Sequence, residues 1–213
     1  MAKPFVAVEG NIGVGKTTLV KLLAKILRLR PIFEPVDSNP YLTDYYLDQR
    51  RWAFPMQVHL MTVRRDLQRL AAQECICATP EFTGSVSDRT LAGDYVFLRA
   101  NVEEGHISER ESNTYHLIRD SWAWEDVRPP SYLFYLKASP DTALRRIKER
   151  ARSAEVPIKL SYLERLDRIY DWLISDIERG EHPWFHRTEV HRIPWDSDYA
   201  SVDPIVDIIR SHM

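Results

Sequence analysis

Short apolar runs alternate with longer amphipathic stretches along the chain. The runs predict five strands, at residues 4–9, 31–33, 85–87, 131–136 and 189–193. Between and after these runs, apolar residues recur at the spacing of a helical face, which predicts helices. The predicted helices span residues 18–27, 41–47, 52–73, 91–101, 108–126, 140–148, 160–177 and 202–210. Strands that alternate with helices indicate an α/β fold, in which a five-stranded parallel sheet carries helices on both faces.

Composition and charge narrow the class of protein. The chain has 213 residues, of which 44% are hydrophobic, so we expect one domain spanning residues 1–213 with a small lid. The net charge of −2 predicts no partnership with nucleic acid or with a membrane surface. Cys75 and Cys77 lack a second cysteine pair, which favours reduced thiols over a disulfide or a zinc site. Because a strand begins almost at once and no apolar run is long, we expect a cytoplasmic protein.

A glycine-rich loop joins the first predicted strand to the first predicted helix. Its sequence follows G-x-x-x-x-G-K-T, the P-loop pattern, and three of the chain's seven glycines lie in it. Backbone N–H groups of such a loop surround a phosphate, and the helix N-terminus adds positive potential. We expect Lys16 to reach the outer phosphates and the Thr17 hydroxyl to ligate Mg²⁺. The predicted phosphate-binding residues are Gly10, Asn11, Ile12, Gly13, Val14, Gly15, Lys16, Thr17 and Thr18.

Charged residues follow two other predicted strands, at the edge where parallel sheets bind ligands. Glu34 comes after the second strand, where a carboxylate can accept the proton of an alcohol that attacks a phosphate. Asp88 ends the third strand and can hold Mg²⁺ through water. Arg89 would then point at the transferring phosphate or clamp Glu34. The alternatives are a solvated carboxylate at Glu34 and a surface ion pair at Asp88 and Arg89.

An arginine-rich stretch follows the helix predicted at residues 140–148. Arg146, Arg150 and Arg152 lie on this helix or just beyond it, and residues 150–157 lack periodicity. Phosphoryl transfer requires cations around the charge of the transition state. We therefore expect these arginines to form a lid, at about residues 150–157, that closes over bound phosphates. The alternative is a charged face exposed to solvent.

The whole chain resembles the deoxynucleoside kinase family, in particular its bacterial-type deoxyadenosine/deoxyguanosine kinase branch. The segments that carry the resemblance are VEGNIGVGKTT, FEPVDSNPYL, YYLDQRRWAFPMQVHLMTVRR, SDRTLAGD, YLKASPDTALRRIKERAR and IKLSYLERL. They cover most of the chain in the family's order. The resemblance implies a P-loop kinase fold, a homodimer, and transfer of the γ-phosphoryl group of ATP, with Mg²⁺, to a deoxynucleoside in nucleotide salvage.

The resemblance also implies which residues carry the reaction. Glu34 corresponds to the general base that takes the proton from the nucleoside 5′-hydroxyl, and Arg89 to the arginine that orients this base. Asp88 corresponds to the acid near Mg²⁺, beside Lys16 and Thr17 of the P-loop. On the donor side, the implied contacts come from Arg146, Arg150, Arg152, Asp198 and Tyr199.

Recognition of the sugar and the base is implied for five residues. Tyr46 and Glu155 correspond to the pair that hydrogen-bonds the sugar 3′-hydroxyl, and Gln57 to the amide that reads the base edge. Arg64 and Asp94 correspond to a charged pair deeper in the pocket. This pair leaves little room for the 5-methyl group of thymine. We expect purine deoxynucleosides to be preferred, deoxycytidine to be accepted and thymidine to be poor, with adenine against guanine left open.

Three positions depart from the family's pattern. Asn39 stands where animal-type members carry a tryptophan, as in the bacterial branch. Thr90 replaces the serine that follows the arginine of the D-R motif. The aromatic side chain that stacks on the base in relatives corresponds to Leu98, with Phe97 beside it, and the sequence leaves open which of the two lies against the base.

Three other functions compete with a deoxynucleoside kinase. A nucleoside monophosphate kinase, such as thymidylate kinase, shares the P-loop, a D-R motif and a lid, but needs cations for its acceptor phosphate where this chain has Glu34. A GTPase is disfavoured because the chain lacks the N-K-x-D motif. A non-catalytic nucleotide-binding relative would have lost charged site residues. The residues retained here are Lys16, Thr17, Glu34, Asp88 and Arg89.

Overall fold

Five parallel strands form the sheet that the apolar runs predict. The computed structural model describes residues 3–77, 80–122, 128–150, 158–197 and 201–211. Its strands are β1 (Phe5–Gly10), β2 (Leu29–Ile32), β3 (Gly84–Asp88), β4 (Tyr132–Lys137) and β5 (Glu189–Pro194). Their order across the sheet is β2-β3-β1-β4-β5, and every residue of the central strand β1 is buried. The predicted α/β fold with a five-stranded parallel sheet is confirmed.

Helices flank this sheet in the order that the amphipathic stretches predict. Within the described residues they are α1 (Lys16–Leu27), α2 (Leu42–Leu47), α3 (Gln49–Ile76), α4 (Leu91–Glu103), α5 (Glu109–Asp120), α6 (Pro140–Arg150), α7 (Leu160–Glu178) and α8 (Asp203–Arg210). A short 3₁₀ turn, Val36–Ser38, follows β2. Most bounds lie within one turn of the predicted ones, because the apolar face of each helix is continuous up to its ends.

The bounds of α3 and α5 differ from the prediction. Helix α3 begins at Gln49 rather than at residue 52, because the Asp48 side chain accepts a hydrogen bond from the Arg51 backbone N–H at 3.1 Å and caps the helix. Pro55 therefore lies inside the helix and not in its first turn. Helix α5 ends at Asp120, whereas the apolar pattern predicts an end at residue 126. Residues 123–126 of the predicted helix lie outside the described residues.

Strand β2 also begins and ends earlier than predicted. It pairs in register with β3 from Leu29, opposite Gly84, to Ile32, opposite Ser87, whereas residues 31–33 were predicted. Pro31 is tolerated within it because β2 is an edge strand and needs backbone donors on one side only. Since the strand ends at Ile32, the chain turns away directly before Glu34, at the carboxyl edge of the sheet.

The carboxyl edge of the sheet carries the P-loop and the charged residues that follow β2 and β3. Val8 of β1 lies opposite Asp88 of β3, so the two strands end side by side. The P-loop leaves β1 at this edge and enters α1. Gly13 has φ +80, and a Cβ there would lie 2.6 Å from the Ala143 carbonyl oxygen, so the loop can follow this path only with glycine at that position.

Two large apolar clusters support this edge. One lies between the sheet and α1, α6, α7 and α8, and includes Val8, Leu23 and Phe134. The other joins α2, α3, α4 and α5, and includes Met61 and Tyr115. Helices α2, α3 and α4 stand over the carboxyl edge and enclose space between themselves and the P-loop. In the described ranges, no helix has both the length and the apolar character needed to cross a membrane.

Candidate active site

Two adjoining cavities open at the carboxyl edge of the sheet. The predicted site residues that line the first are Ile12, Gly13, Lys16, Thr17, Glu34, Tyr46, Gln57, Arg64, Asp88, Arg89 and Arg150. The second is lined by residues 13–18 of the P-loop together with Arg146, Arg150 and Trp195. The residues that line both cavities are Gly13, Lys16, Thr17 and Arg150. The two cavities therefore meet at the phosphate-binding end of the P-loop.

The ammonium group of Lys16 is buried within the P-loop. Its Nζ donates to the carbonyl oxygens of Gly10 at 3.0 Å and Asn11 at 2.6 Å. Burial, with a contribution from the positive charge of Arg89, lowers the pKa of Lys16 to about 7. A phosphate bound against this lysine would raise its pKa and favour the charged form, so the site is suited to an anionic ligand.

Thr17 and Asp88 bring two oxygen atoms together beside Lys16. The Thr17 hydroxyl donates to Oδ2 of Asp88 at 2.5 Å. A hydroxyl and a carboxylate are hard oxygen ligands of the type that Mg²⁺ takes, and this ion usually keeps several ligands from water and from substrate phosphates. The pair therefore fits Mg²⁺.

Glu34 lies between two arginines in the first cavity. Its Oε1 accepts from Arg64 Nε at 2.7 Å and contacts Arg64 Nη2 at 2.6 Å, while its Oε2 lies 3.2 Å from Arg89 Nε. Burial alone would raise the pKa of Glu34, but the charges of Arg64 and Arg89 outweigh it and hold the pKa below its usual range. Glu34 is therefore a carboxylate at neutral pH and not the solvated loop residue of the alternative reading.

Arg89 has an unusual backbone conformation. Its φ is +75°, in the left-handed region that residues other than glycine rarely adopt. Its side chain turns to the P-loop, where Nη1 donates to the Gly10 carbonyl oxygen at 3.1 Å and to the Tyr170 hydroxyl at 2.5 Å. Arg89 therefore contacts Glu34, as one of the two arrangements predicted from the sequence requires, and it also reaches the P-loop.

The far wall of the first cavity is formed by Gln57 and Arg64, with Asp94 buried behind them. The Gln57 amide donates to both the carboxylate and the backbone carbonyl of Asp94 at 2.9 Å, and Arg64 Nη1 lies 2.5 Å from Asp94 Oδ1. Both N–H groups of the amide are thus engaged, and among the described residues no hydrogen bond engages its carbonyl oxygen. Asp94 has no exposed surface, and the Tyr115 hydroxyl also donates to its Oδ2 at 2.5 Å.

Phe97, and not Leu98, lines the first cavity. The Phe97 ring lies 5.2 Å from the guanidinium carbon of Arg64 and 4.9 Å from that of Arg89. Leu98 is packed in the apolar cluster between α2, α3, α4 and α5. The aromatic side chain on the cavity wall is therefore the neighbour of the position that corresponds to the family's stacking residue.

Arg146 connects the P-loop to the segment that follows β5. It donates to the carbonyl oxygens of Val14 and Trp195 at 3.0 Å, Asp196 at 3.2 Å and Ser197 at 3.3 Å. The second cavity lies against these groups. Its predicted contacts Arg152, Asp198 and Tyr199, like the predicted sugar ligand Glu155 and most of the predicted lid, lie outside the described residues.

Sequence reasoning missed the buried residues that support the two arginines. Glu9 carries a signal that could have been used, because it is a charged residue in an otherwise apolar strand. Tyr115 and Tyr170 carry none, since a tyrosine on the apolar face of a helix is read as part of the core. Tyr45 was also missed. It lines the first cavity, and its hydroxyl donates to Asn101 Oδ1 at 3.0 Å.

Comparison with known proteins finds a matching family model, similar sequences and similar solved structures. Residues 6–202 match the family model described as deoxynucleoside kinase. The chain is 32% identical over 206 residues to deoxyadenosine kinase from Dictyostelium discoideum, covering 97% of this chain and 78% of that protein. It is 33% identical to deoxyadenosine/deoxycytidine kinase from Bacillus subtilis, covering 97% and 91%. A solved structure of deoxyadenosine kinase from M. mycoides with bound dCTP superposes with a TM-score of 0.81 at 26% identity, covering 97% of this chain and 98% of that one.

Proposed function

The chain belongs to the deoxynucleoside kinase family, and on that premise we propose that Glu34 activates the 5′-hydroxyl of a deoxynucleoside for attack on the γ-phosphoryl group of ATP. The observation that carries this proposal is the position of Glu34. It is an ionised carboxylate in a cavity that joins the P-loop cavity at Lys16 and Thr17. A carboxylate there suits a neutral alcohol and repels an acceptor that already carries a phosphate.

The second cavity would hold the donor. The P-loop would surround its phosphates, and Lys16 would leave the carbonyl oxygens it now contacts for the phosphate oxygens. Arg146 and Arg150 border this cavity, and Arg152, Asp198 and Tyr199 are proposed to complete it. Thr17 and Asp88 would hold Mg²⁺, which when bound neutralises charge on the phosphates.

Proton transfer is assigned to Glu34 alone. Phosphoryl transfer has a loose transition state, so the acceptor hydroxyl becomes strongly acidic only late in the reaction, and a carboxylate of low pKa can then accept its proton. Arg89 contacts Glu34 through Nε and reaches the P-loop through Nη1, so it is placed to stabilise charge on the transferring group. Tyr46, with Glu155, would bond the sugar 3′-hydroxyl.

Base recognition is assigned to Gln57 and Arg64, with Phe97 against the base plane. The Gln57 carbonyl oxygen accepts a hydrogen bond from the base, and Arg64 donates one, while Asp94 fixes both side chains from behind. The rigid wall leaves no adaptable space for the thymine methyl group. Purine deoxynucleosides are the proposed substrates. Deoxyadenosine and deoxyguanosine are proposed together, because relatives of similar identity are named for each of them, and deoxycytidine is accepted.

A panel of acceptors tests this function. The four deoxynucleosides and their 5′-monophosphates are each incubated with the protein, ATP and Mg²⁺, and ATP consumption and products are measured. We expect phosphorylation of deoxyadenosine above deoxycytidine and of thymidine least, with no consumption of monophosphates. Turnover confined to monophosphates would contradict the proposal and favour a thymidylate-like kinase. Lys16→Met serves as the control that assigns the consumption to this site.

The remaining family features are proposed on the resemblance. They are a homodimer, a cytoplasmic location and a role in nucleotide salvage. Light scattering on the purified chain tests the first of these, with a mass of two chains as the expected result and a mass of one chain as the contradicting one.

A further inference from the structure

Glu9 is a fully buried carboxylate in the middle of the sheet, next to the proposed active site. It lies near the end of β1, where the other five residues of the strand are apolar or glycine. A buried carboxylate is costly unless hydrogen bonds compensate it, and an apolar residue of similar size would usually serve stability as well. The presence of Glu9 therefore calls for a role other than packing, and its hydrogen-bond partners indicate one.

One oxygen of Glu9 holds the backbone beside Arg89. Its Oε1 accepts hydrogen bonds from both the backbone N–H and the hydroxyl of Thr90, each at 2.7 Å. Thr90 is also the N-cap of α4, and its hydroxyl contacts the Gly93 backbone N–H at 3.4 Å. A Cβ at Gly93 would lie 2.4 Å from Oε1 of Glu9, so the carboxylate sits directly against the first turn of the helix. The positive end of a helix favours a carboxylate there.

These contacts stabilise the left-handed conformation of Arg89. A φ of +75° is unfavourable for arginine and persists only where the surrounding structure determines it. The Arg89 backbone N–H donates to the Val8 carbonyl oxygen at 3.0 Å, and the next backbone N–H, that of Thr90, donates to Glu9. Residues 8 and 9 of β1 thus hold the backbone on both sides of the unusual torsion.

The other oxygen of Glu9 acts on the guanidinium group of Arg89 through Tyr170. The Tyr170 hydroxyl donates to Oε2 of Glu9 at 3.2 Å and accepts from Arg89 Nη1 at 2.5 Å. Tyr170 has no exposed surface and lies on α7, far from Arg89 in the sequence. With Nη1 fixed by Tyr170 and by the Gly10 carbonyl oxygen, Nε is the atom that faces Glu34.

We infer that Glu9 and Tyr170 are positioning residues for phosphoryl transfer. Glu9 holds the backbone of Arg89 in its left-handed conformation, and the Tyr170 hydroxyl orients the guanidinium group toward Glu34 and the P-loop. This inference rests on the proposed function of Arg89 and adds two residues that do not themselves line the first cavity. Removal of either should slow the chemical step and leave substrate binding largely unchanged.

A double-mutant cycle tests whether Tyr170 acts through Arg89. Tyr170→Phe removes the hydroxyl and keeps the ring. It should lower kcat about tenfold in the otherwise wild-type protein and less than about twofold in an Arg89→Ala background, with KM values for ATP and the deoxynucleoside changed less than about threefold. Equal losses in both backgrounds, or no loss in the first, would overturn the inference.

Tyr135→Phe is the matched control for this cycle. Tyr135 is equally buried, stacks on Tyr170 at 5.8 Å between ring centroids, and has its hydroxyl 3.3 Å from Asp171 rather than near Arg89. It should leave kcat unchanged. If Tyr135→Phe lowers kcat as much as Tyr170→Phe does, the effect of Tyr170 is general packing and the inference fails.

Glu9→Gln supplies an independent readout, the pH dependence of kcat/KM for the deoxynucleoside. Glu34 faces Arg64 on α3, Arg89 after β3 and Lys16 on α1, and a loosened Arg89 would lower the pKa of Glu34 less. The acid limb of the profile should therefore move to higher pH. An unmoved limb together with wild-type kcat would contradict the inference, whereas an inactive wild-type protein would instead contradict the proposed function.

Discussion

Arg64 and Arg89 approach the same carboxylate, Glu34, from its two oxygens, yet they are held in different ways. Arg64 Nη2 lies 2.6 Å from Oε1 and Arg89 Nε lies 3.2 Å from Oε2. Behind each arginine stands a fully buried carboxylate that accepts a hydrogen bond from a tyrosine hydroxyl. The two supports are Asp94 with Tyr115 behind Arg64, and Glu9 with Tyr170 behind Arg89.

The difference lies in how directly each carboxylate meets its arginine. Asp94 touches Arg64, with 2.5 Å between Oδ1 and Nη1, whereas Oε2 of Glu9 stays 3.8 Å from Nη1 of Arg89 and the Tyr170 hydroxyl bonds to both. Burial raises the pKa of Tyr170, so the bridging group is a neutral phenol. Arg64 thus contacts the carboxyl groups of Glu34 and Asp94 directly, whereas Arg89 contacts that of Glu34 and is bridged to Glu9 by Tyr170.

This contrast matches the two tasks of the site. A neutralised and rigid arginine suits recognition, because a fixed donor penalises a base that cannot pair with it. An arginine whose charge is less compensated by neighbouring carboxylates suits stabilisation of the phosphoryl group in the transition state. Both supports depend on α4, which carries Asp94 in its first turn and meets Glu9 at its N-terminus. Helix α4 therefore fixes the positions of Arg64, at the base-recognition end of the cavity, and Arg89, at the phosphoryl-transfer end, relative to each other.

Removal of the shared carboxylate is expected to have the largest effect. Glu34→Gln keeps the size of the side chain and removes the proton acceptor, so kcat should fall by ~10²–10⁴ while the affinity for the deoxynucleoside changes much less. Steady-state kinetics with deoxyadenosine measure this. Near-normal turnover would exclude Glu34 as the base. Glu181→Gln, at an exposed glutamate, is the matched control and should behave as the wild type.

Replacement of the charged pair Arg64 and Asp94 should change the order in which the deoxynucleosides are preferred. In Arg64→Met with Asp94→Ala, both charges are lost together, Glu34 keeps Arg89 as its partner, and space opens at the base. A buried polar group left unpaired costs ~1–3 kcal/mol, so kcat/KM for thymidine relative to deoxyadenosine should rise about tenfold or more. An unchanged ranking, measured with all four deoxynucleosides, would show that the pair does not govern base selection.

Asp94→Ala alone separates the effect of the lost charges from the effect of the space that the double variant opens. It leaves Arg64 buried beside only one carboxylate, so the protein should lose stability by about 3–5 kcal/mol without gaining thymidine activity. Thermal unfolding measures the first and the acceptor panel the second. A single variant that gains thymidine activity as fully as the double variant would mean that space, and not charge, sets the ranking.

The charge of Arg89 should also affect the pKa of Lys16. Burial and that charge lower the pKa of Lys16 to about 7, so at about pH 8 the free lysine is mostly neutral. Bound triphosphate raises its pKa, and ATP binding at that pH should take up nearly one proton, falling toward zero at about pH 6. Calorimetry in buffers of different ionisation enthalpy measures this uptake. Uptake that persists in Lys16→Met would contradict the assignment.

The parts of the site that lie in one continuous stretch could be predicted from the sequence. The P-loop is such a stretch, and Glu34, Asp88 and Arg89 follow predicted strands, so the parallel sheet brings them together at its carboxyl edge. The supports could not be predicted in this way. Tyr170 and Glu9 are 161 positions apart, and no periodicity relates them.

Local geometry explains the remaining differences. Phe97 and Leu98 are adjacent, and only the rotation of α4 decides that the first faces the cavity and the second the apolar cluster. The start of α3 depended on one capping side chain, Asp48, which an apolar pattern does not record. The early start of β2 depended on its pairing with β3, which is not visible in the pattern of Pro31 and its neighbours.

If the two arginines divide base recognition from phosphoryl transfer, removal of the hydroxyl group behind each of them should change a different kinetic parameter. Tyr115→Phe and Tyr170→Phe each remove one buried hydroxyl, the first behind Arg64 and the second behind Arg89. With deoxyadenosine as the varied substrate, Tyr115→Phe should raise KM about fivefold and preserve kcat, whereas Tyr170→Phe should lower kcat about tenfold and preserve KM. If both variants change the same parameter, the two ends of the cavity do not have separate tasks and the account is wrong.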